Sequence, residues 1–295
     1  MHAPHSSEPI ASRVQEHPGT GTIEVWPVGN RVGESPAWHA GEQALYWIDV
    51  RGQQVLRLDP ARQRLTRWQL PEVVGALALW GDGTVRLALQ QRIVDLDLHA
   101  GLLRTVCSLA PHEPPGNRLN DGKRSPSGRW LVVGSMDDRA DKHASGGLYC
   151  VGDGGAVRQL HAGLVVANGI AWSPDARTLY FSDSFRGQVW QAAWNEAEGT
   201  MGAPRPFADL GEADGRPDGA QVDATGRYWS AGVSAGALNI LAPDGTQHRR
   251  IALPCRAPTM CAFGAAKDLW VTSLVRPGWE PTAHDGALLR LQIPR

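Results

Sequence analysis

The chain carries almost no net charge: 29 Lys and Arg stand against 30 Asp and Glu in 295 residues, a formal balance of -1. With no basic run or stripe either, it lacks the electrostatic footprint needed to track a phosphate backbone, so no nucleic-acid partner is expected. Cysteine is scarce. Its four copies, Cys107, Cys150, Cys255 and Cys261, show no CxxC spacing, which argues against a thiolate zinc site or a disulfide framework and leaves reduced core thiols. Cys255 and Cys261 could be bridged only if the fold brings them together. The ten histidines form no HxxxH-type pair, so a histidine-rich metal site is disfavoured as well. No apolar run approaches the length of a membrane span, and residues 1–21 contain no apolar signal-like stretch. The expectation is a cytoplasmic protein with no membrane association, no evident obligate protein partner, and a flexible tail over residues 1–21. Long segments of helical periodicity are missing too.

What remains is 42% apolar residues, distributed in short alternating runs that end in Gly, Asp and Pro turns, the pattern of an all-β chain. One phrase recurs six times: "ESPAWHAGE" from Glu34, "GALALWGDG" from Gly75, "NDGKRSPSG" from Asn120, "NGIAWSPDA" from Asn168, "DGAQVDATG" from Asp218 and, less clearly, "TMCAFGAAK" from Thr259. Each runs into a turn and then a strand rich in aromatic or branched residues, such as "ALYWIDV" and "TLYFSDS", and a third strand follows. A spacing of roughly 40 to 50 residues is that of a four-stranded propeller blade. The sequence therefore predicts a six-bladed β-propeller of four-stranded antiparallel blades, a single domain over residues 22–295. The early strand "TIEVWPV", with no repeat of its own, is available to pair with "ALLRLQI" near the C-terminus and close the ring, which would remove exposed sheet edges.

Asn168 and Gly169 by themselves signal a type I′ hairpin turn. The repeat supplies a competing account: residues at the heads of equivalent innermost strands converge at one mouth of a propeller channel. Glu34, Asn120, Asn168 and Asp218 all occupy that head position, and their carboxylate and amide oxygens suit a hard divalent cation.

The motifs "GESPAWH", "RLNDGKRSPSGR", "ANGIAWSPD", "LYFSDS" and "RPDGAQVDATG" resemble, in that order, those of the senescence marker protein, gluconolactonase and regucalcin family, from about Val25 to Ile293. The resemblance implies a six-bladed propeller that hydrolyses sugar lactones with one divalent metal at the channel mouth. It implies metal ligation by Glu34, Asn168 and Asp218, and substrate contacts from Arg118 and Asn120. Arg118 and Asn120, two apart in an extended segment, share a side of the strand and offer donors to hydroxyl and carbonyl oxygens. Asp138 follows the second strand of its blade and is expected over a bound polyol, though family members vary there. Opening a lactone needs a polarised carbonyl, an activated water and a donor facing the developing oxyanion. Asp218 is the candidate base, with Glu34 as substitute. Calcium leads as the metal, with zinc, manganese and magnesium open.

Asp183, in "FSDS", matches a family motif too, but a strand-end Asp more often bonds nearby backbone amides. The twelve tryptophans fall mostly at repeated strand positions and read as blade packing rather than a sugar platform. Two alternatives stand beside the lactonase: a non-catalytic ligand- or protein-binding propeller, and a paraoxonase-like lactonase or esterase, which should have an apolar channel mouth.

Overall fold

The computed structural model describes residues 1–18 and 20–293. Six antiparallel sheets stand around an axis. Their innermost strands, Gly33–His39, Val74–Gly81, Asn117–Arg124, Ala167–Trp172, Pro217–Val222 and Pro258–Phe263, each pack beside the next, and the last returns to the first. These are the six predicted blades.

Every blade has four strands, and three have extra edge pieces. The first adds His5–Pro9 outside Arg64–Gln69, the fourth adds the two residues Thr200–Met201, and the sixth adds Arg13–His17. The segment ahead of residue 22, read from its composition as a tail, thus carries two strands, paired through His5 with Trp68 and through Arg13 with Val25. Its lack of apolar residues reflects edge positions with little to bury; among its described residues only Ala3 is enclosed, donating its N–H to Gly101 O at 2.6 Å.

Closure occurs as the sequence suggests. Gly21–Trp26 becomes the fourth strand of the last blade, with Leu288 opposite Trp26 and Leu291 opposite Ile23. The hydrophobic interior is divided into six clusters, one between each pair of neighbouring blades. Trp26, Trp47 and Trp270 fill the cluster that joins the last blade to the first. The second strands are therefore covered on both faces, and Ala44–Asp49 is buried at all six positions. All four cysteines are free, three of them buried.

Ile23 is wholly buried and packs against the core shared by the last two blades, whereas Val14, on the extra edge strand, is 68% exposed. Ile23→Ala should therefore lower the unfolding free energy by about 2–5 kcal/mol, the range for emptying a packed aliphatic site. Val14→Ala should stay within about 0.5 kcal/mol. Denaturant titration of both variants checks this; equal effects would show that the closing strand contributes no more than an edge.

Candidate active site

All six inner strands share one irregularity. Their ladder to the second strand slips near the head, between Glu34 and Ala37, Val74 and Ala76, Asn120 and Gly122, Asn168 and Ala171, Pro217 and Ala220, and Pro258 and Met260. A bulge leaves residues unpaired and re-aims side chains, here at the end of the channel where the repeated phrase begins. Ser35, Asp121 and Gly169 have positive φ at these points. Asn168 and Gly169 thus lie within a strand, at its bulge, and not in a hairpin turn. A Cβ on Gly169 would run into the Tyr228 hydroxyl, which donates to Gly169 O at 2.8 Å.

The bulges open onto a cavity of about 640 Å³ whose lining includes Glu34, Arg118, Asn120, Asn168 and Asp218. Three zones follow one another along it. At the floor, Glu34, Asn168 and Asp218 are each nearly inaccessible. Asn168 Nδ2 donates to Ser184 Oγ at 2.8 Å, and the amide also bonds Asp218, which takes a second hydrogen bond from Gly219 N–H. Above the floor comes an apolar collar that includes Val32, Val166, Met136 and Leu274. These four tie adjacent blades through single bridges, Val32 with Leu274 and Met136 with Val166. The sequence reading, which set Arg, Asn and Asp against an apolar mouth, did not anticipate the collar. Cationic side chains form the outer rim.

Arg118 is fixed on three sides. Its Nε donates to Asp138 Oδ1 at 3.0 Å, and its Nη1 donates to Leu119 O at 3.0 Å and Asn120 Oδ1 at 2.8 Å. Asn120 Nδ2 donates to Ala167 O at 2.9 Å, locking its amide across to the next blade. Asp138 is not among the residues lining the cavity; its carboxylate is gripped by Arg51 at 2.6 and 3.0 Å as well as by Arg118. It touches the site through Arg118 rather than from above. Asp183 does what a strand-end Asp was expected to do, accepting from the N–H groups of Val165, Val166 and Phe185.

Two charged residues that act on the floor's carboxyl groups without lining the cavity escaped the sequence reading. Asp121, buried, accepts from Gly122 N–H at 2.7 Å and Ile170 N–H at 2.9 Å, and so braces the bulge that carries Asn168. Lys123 donates to Ala220 O and is the cation nearest Asp121. Their signal was adjacency alone: both stand within three residues of Asn120 in the quoted motif, but a strand's alternation does not say which of its members a bulge turns inward.

The electrostatics of the floor follow from burial. Desolvation pushes Asp218 up to about 8, aided by the charge of Asp121 and opposed by Arg118. Glu34 is raised well above the ordinary carboxylate range, first by desolvation and then by Asp218 and Asp121. Asp121 is raised for the same first reason, and burial lowers Lys123 to about 8. Carboxyl groups raised in this way gain from positive charge placed beside them. The donors, two carboxylates and an amide, are all hard oxygens, so the residues present fit a hard divalent cation. Among the described residues no group of three or more His, Cys, Asp or Glu is placed to hold a metal ion, and the third oxygen donor the floor offers is the Asn168 amide.

Comparison with known proteins shows the family and the fold. The family model described as SMP-30/Gluconolactonase/LRE-like region matches residues 32–275. The chain is 37% identical over 247 residues to 6-deoxy-6-sulfogluconolactonase of Pseudomonas putida, covering 82% of this chain and 83% of that one. It is 32% identical over 262 residues to L-arabinolactonase of Azospirillum brasilense, covering 88% and 86%. Among solved structures, a regucalcin of Agrobacterium tumefaciens described as a calcium-binding protein matches with a TM-score of 0.83 at 29% identity, over 96% of this chain and 94% of that one.

The raised carboxyl groups fix the sign of a pH effect. Asp218 binds its proton up to about 8 in the folded protein, against 3.8 for an ordinary Asp. Between those values the folded state holds more protons than the unfolded one, so stability falls as pH rises through the interval. Cation-free protein should therefore melt at a lower temperature at pH 8 than at pH 5. A divalent cation at about 100 times its Kd should add about 2.7 kcal/mol of stability, with the larger rise in Tm at pH 8. Thermal melts across pH, with chelator and with Ca²⁺ or Mn²⁺, check both; melting temperatures indifferent to every cation would remove the ion from the site.

Proposed function

The chain belongs to the SMP-30/gluconolactonase/LRE-like family, and from that premise we propose that it is a metal-dependent sugar lactonase that opens aldonolactones to aldonic acids. The observation that carries the proposal is the floor: Glu34, Asn168 and Asp218, from three different blades, line one cavity with Arg118 and Asn120 in its wall. Family relatives named as lactonases support the same substrate class.

When held by Glu34, Asn168 and Asp218, a divalent cation supplies Lewis acidity toward the lactone carbonyl. Calcium leads among the candidates, supported by the all-oxygen donors and by the calcium-binding description of the regucalcin relative. Asp218 is the base. With its carboxyl pushed to about 8 it holds a proton at neutral pH, and positive charge beside it favours the carboxylate that can accept a proton from water. Arg118 Nη2 makes no hydrogen bond among the described residues, and is the donor free to meet a substrate hydroxyl or the oxygen that becomes negative. Asn120 holds that guanidinium in place. The collar around Val166 and Met136 sets apolar surface beside the reacting atoms, which strengthens the charge interactions there. In the reaction the water oxygen bonds to the acyl carbon and the ring C–O bond breaks. The ring oxygen leaves as a hydroxyl, and the new carboxyl group gives up its proton to solvent.

The collar also favours a second reading, a lipophilic lactone of the paraoxonase-like kind. One panel separates the two. Aldonolactones such as glucono-, galactono-, xylono- and arabinono-lactone should be hydrolysed, with activity lost on chelation and restored by divalent cation. Preference for alkyl-substituted lactones over all of these would favour the second reading, and undiminished turnover after complete metal removal would overturn metal dependence.

Asp218→Asn keeps the shape and one ligating oxygen but removes the base, so at saturating cation its kcat should fall by at least about 10²-fold, a barrier rise of about 2.7 kcal/mol. Arg118→Ala should keep its bound metal while kcat/KM falls. Measuring metal content alongside kinetics checks both; near-wild-type kcat in cation-loaded Asp218→Asn would move the base to Glu34.

A further inference from the structure

The cavity is unbalanced in charge. Six cationic side chains line it, Arg31, Arg51, Arg118, Lys142, Arg216 and Arg276, against two carboxylates, Glu34 and Asp218, both at the floor. A divalent cation on the floor would offset those two carboxylates and leave nothing of them for the rim. Outside the lining, Asp138 is shared by Arg51 and Arg118, and Glu212 pairs with Arg216 at 2.8 Å. Among the described residues, Arg31, Lys142 and Arg276 are in no ion pair.

Two of these three are also held in place. Lys142 Nζ donates to Asp137 O at 2.7 Å and Arg139 O at 3.3 Å, which tethers the ammonium without neutralising it. Arg276 lies over the Trp279 ring at 4.4 Å. Arg51, Lys142 and Arg276 come from the same kind of segment, the connection from second to third strand, in the first, third and sixth blades. Burial lowers the Lys142 pKa, opposed by the carboxylates of Asp138 and Asp137 and aided by the guanidinium groups of Arg118 and Arg51. Gathering like charges this way costs stability, and a neutral polyol gives no return for it. A bound oxyanion does, since guanidinium and ammonium groups are the donors suited to phosphate and carboxylate oxygens.

We infer that the rim formed by Arg31, Arg51, Lys142 and Arg276 is an anion subsite, and that the preferred substrate is a lactone carrying a phosphate or carboxylate group remote from the ring carbonyl. This rests on the lactonase assignment above. The ring sits at the floor, its carbonyl toward Glu34, Asn168 and Asp218, and its charged end reaches past the collar to the rim. The carboxylate released by hydrolysis forms at the floor, so it does not account for cations at the other end.

The test pairs substrates that differ only in the remote charge. Glucono-1,5-lactone and its 6-phosphate should differ in kcat/KM by about 10-fold or more in favour of the phosphate at low ionic strength, with the preference shrinking as salt is added. Lys142→Gln and Arg31→Gln should each cut that ratio several-fold. In parallel, the open-chain acids gluconate, 6-phosphogluconate and glucarate are measured as ligands by calorimetry on cation-loaded protein. 6-Phosphogluconate and glucarate, each carrying a second anionic group, should bind more tightly than gluconate, and Lys142→Gln should remove the difference; whichever binds better identifies the preferred oxyanion. A phosphate-to-neutral ratio of one or less, with 6-phosphogluconate binding no tighter than gluconate, overturns the subsite while leaving the lactonase intact. If neither lactone is hydrolysed yet 6-phosphogluconate or glucarate still binds through Lys142, the lactonase assignment fails and the anion site stands.

Discussion

Four residue pairs, from Leu288 with Trp26 to Leu291 with Ile23, bind the two ends of the chain into one sheet. The site depends on that pairing. Glu34 belongs to the first blade and Asp218 to the fifth, so the closing blade stands between them. Thr259 of that blade donates its hydroxyl to Gly33 O, next to Glu34. With the ring shut, groups almost two hundred residues apart are forced into one buried space. Their raised pKa values are a consequence of geometry that no local sequence contact imposes.

Within the ring, a single backbone device does the aiming. The ladder slips at the head of every inner strand, yet only some heads present donors to the cavity. The differences have local causes. In the second blade the head is Gly75, where any Cβ would strike the Leu119 carbonyl of the neighbouring strand. In the sixth it is Thr259, whose hydroxyl is spent on Gly33 O and Thr272 Oγ1. The remaining heads carry Glu34, Asn120, Asn168 and Asp218, which line the cavity, while Asp121, at positive φ next to Asn120, is buried outside the lining.

The cavity is thus ordered from floor to rim by what each depth can tolerate. Carboxyl groups at the floor are costly to ionise and gain most from a cation. Val166 and Leu274, at bridges between blades, are placed where side chains must pack and so form the collar. Long charged side chains extend from the connecting loops, where length and sequence are least constrained by the blades. Arg118 joins floor to rim, with Asn120 on one side of its guanidinium and Asp138 on the other.

The sequence by itself determined the blade count, the closing strand and the four polar blade heads, because the phrase beginning at Glu34, Asn120, Asn168 and Asp218 repeats at a blade's spacing and repetition survives without coordinates. It left the fourth strands faint. Gln247–Ala252, exposed at five of its six positions, has little apolar alternation to betray it. The edge strands before residue 22 were missed for the same reason. Asp121 and Lys123 were passed over because the bulge between Asn120 and Gly122 breaks the two-residue period that sequence reading relies on. Only the tertiary structure decided that Asp138 is gripped by Arg51, a residue 87 positions away, and that Arg31, Lys142 and Arg276 face one opening. Such pairings come from packing blades around an axis, and long-range juxtaposition leaves no periodic trace in the chain.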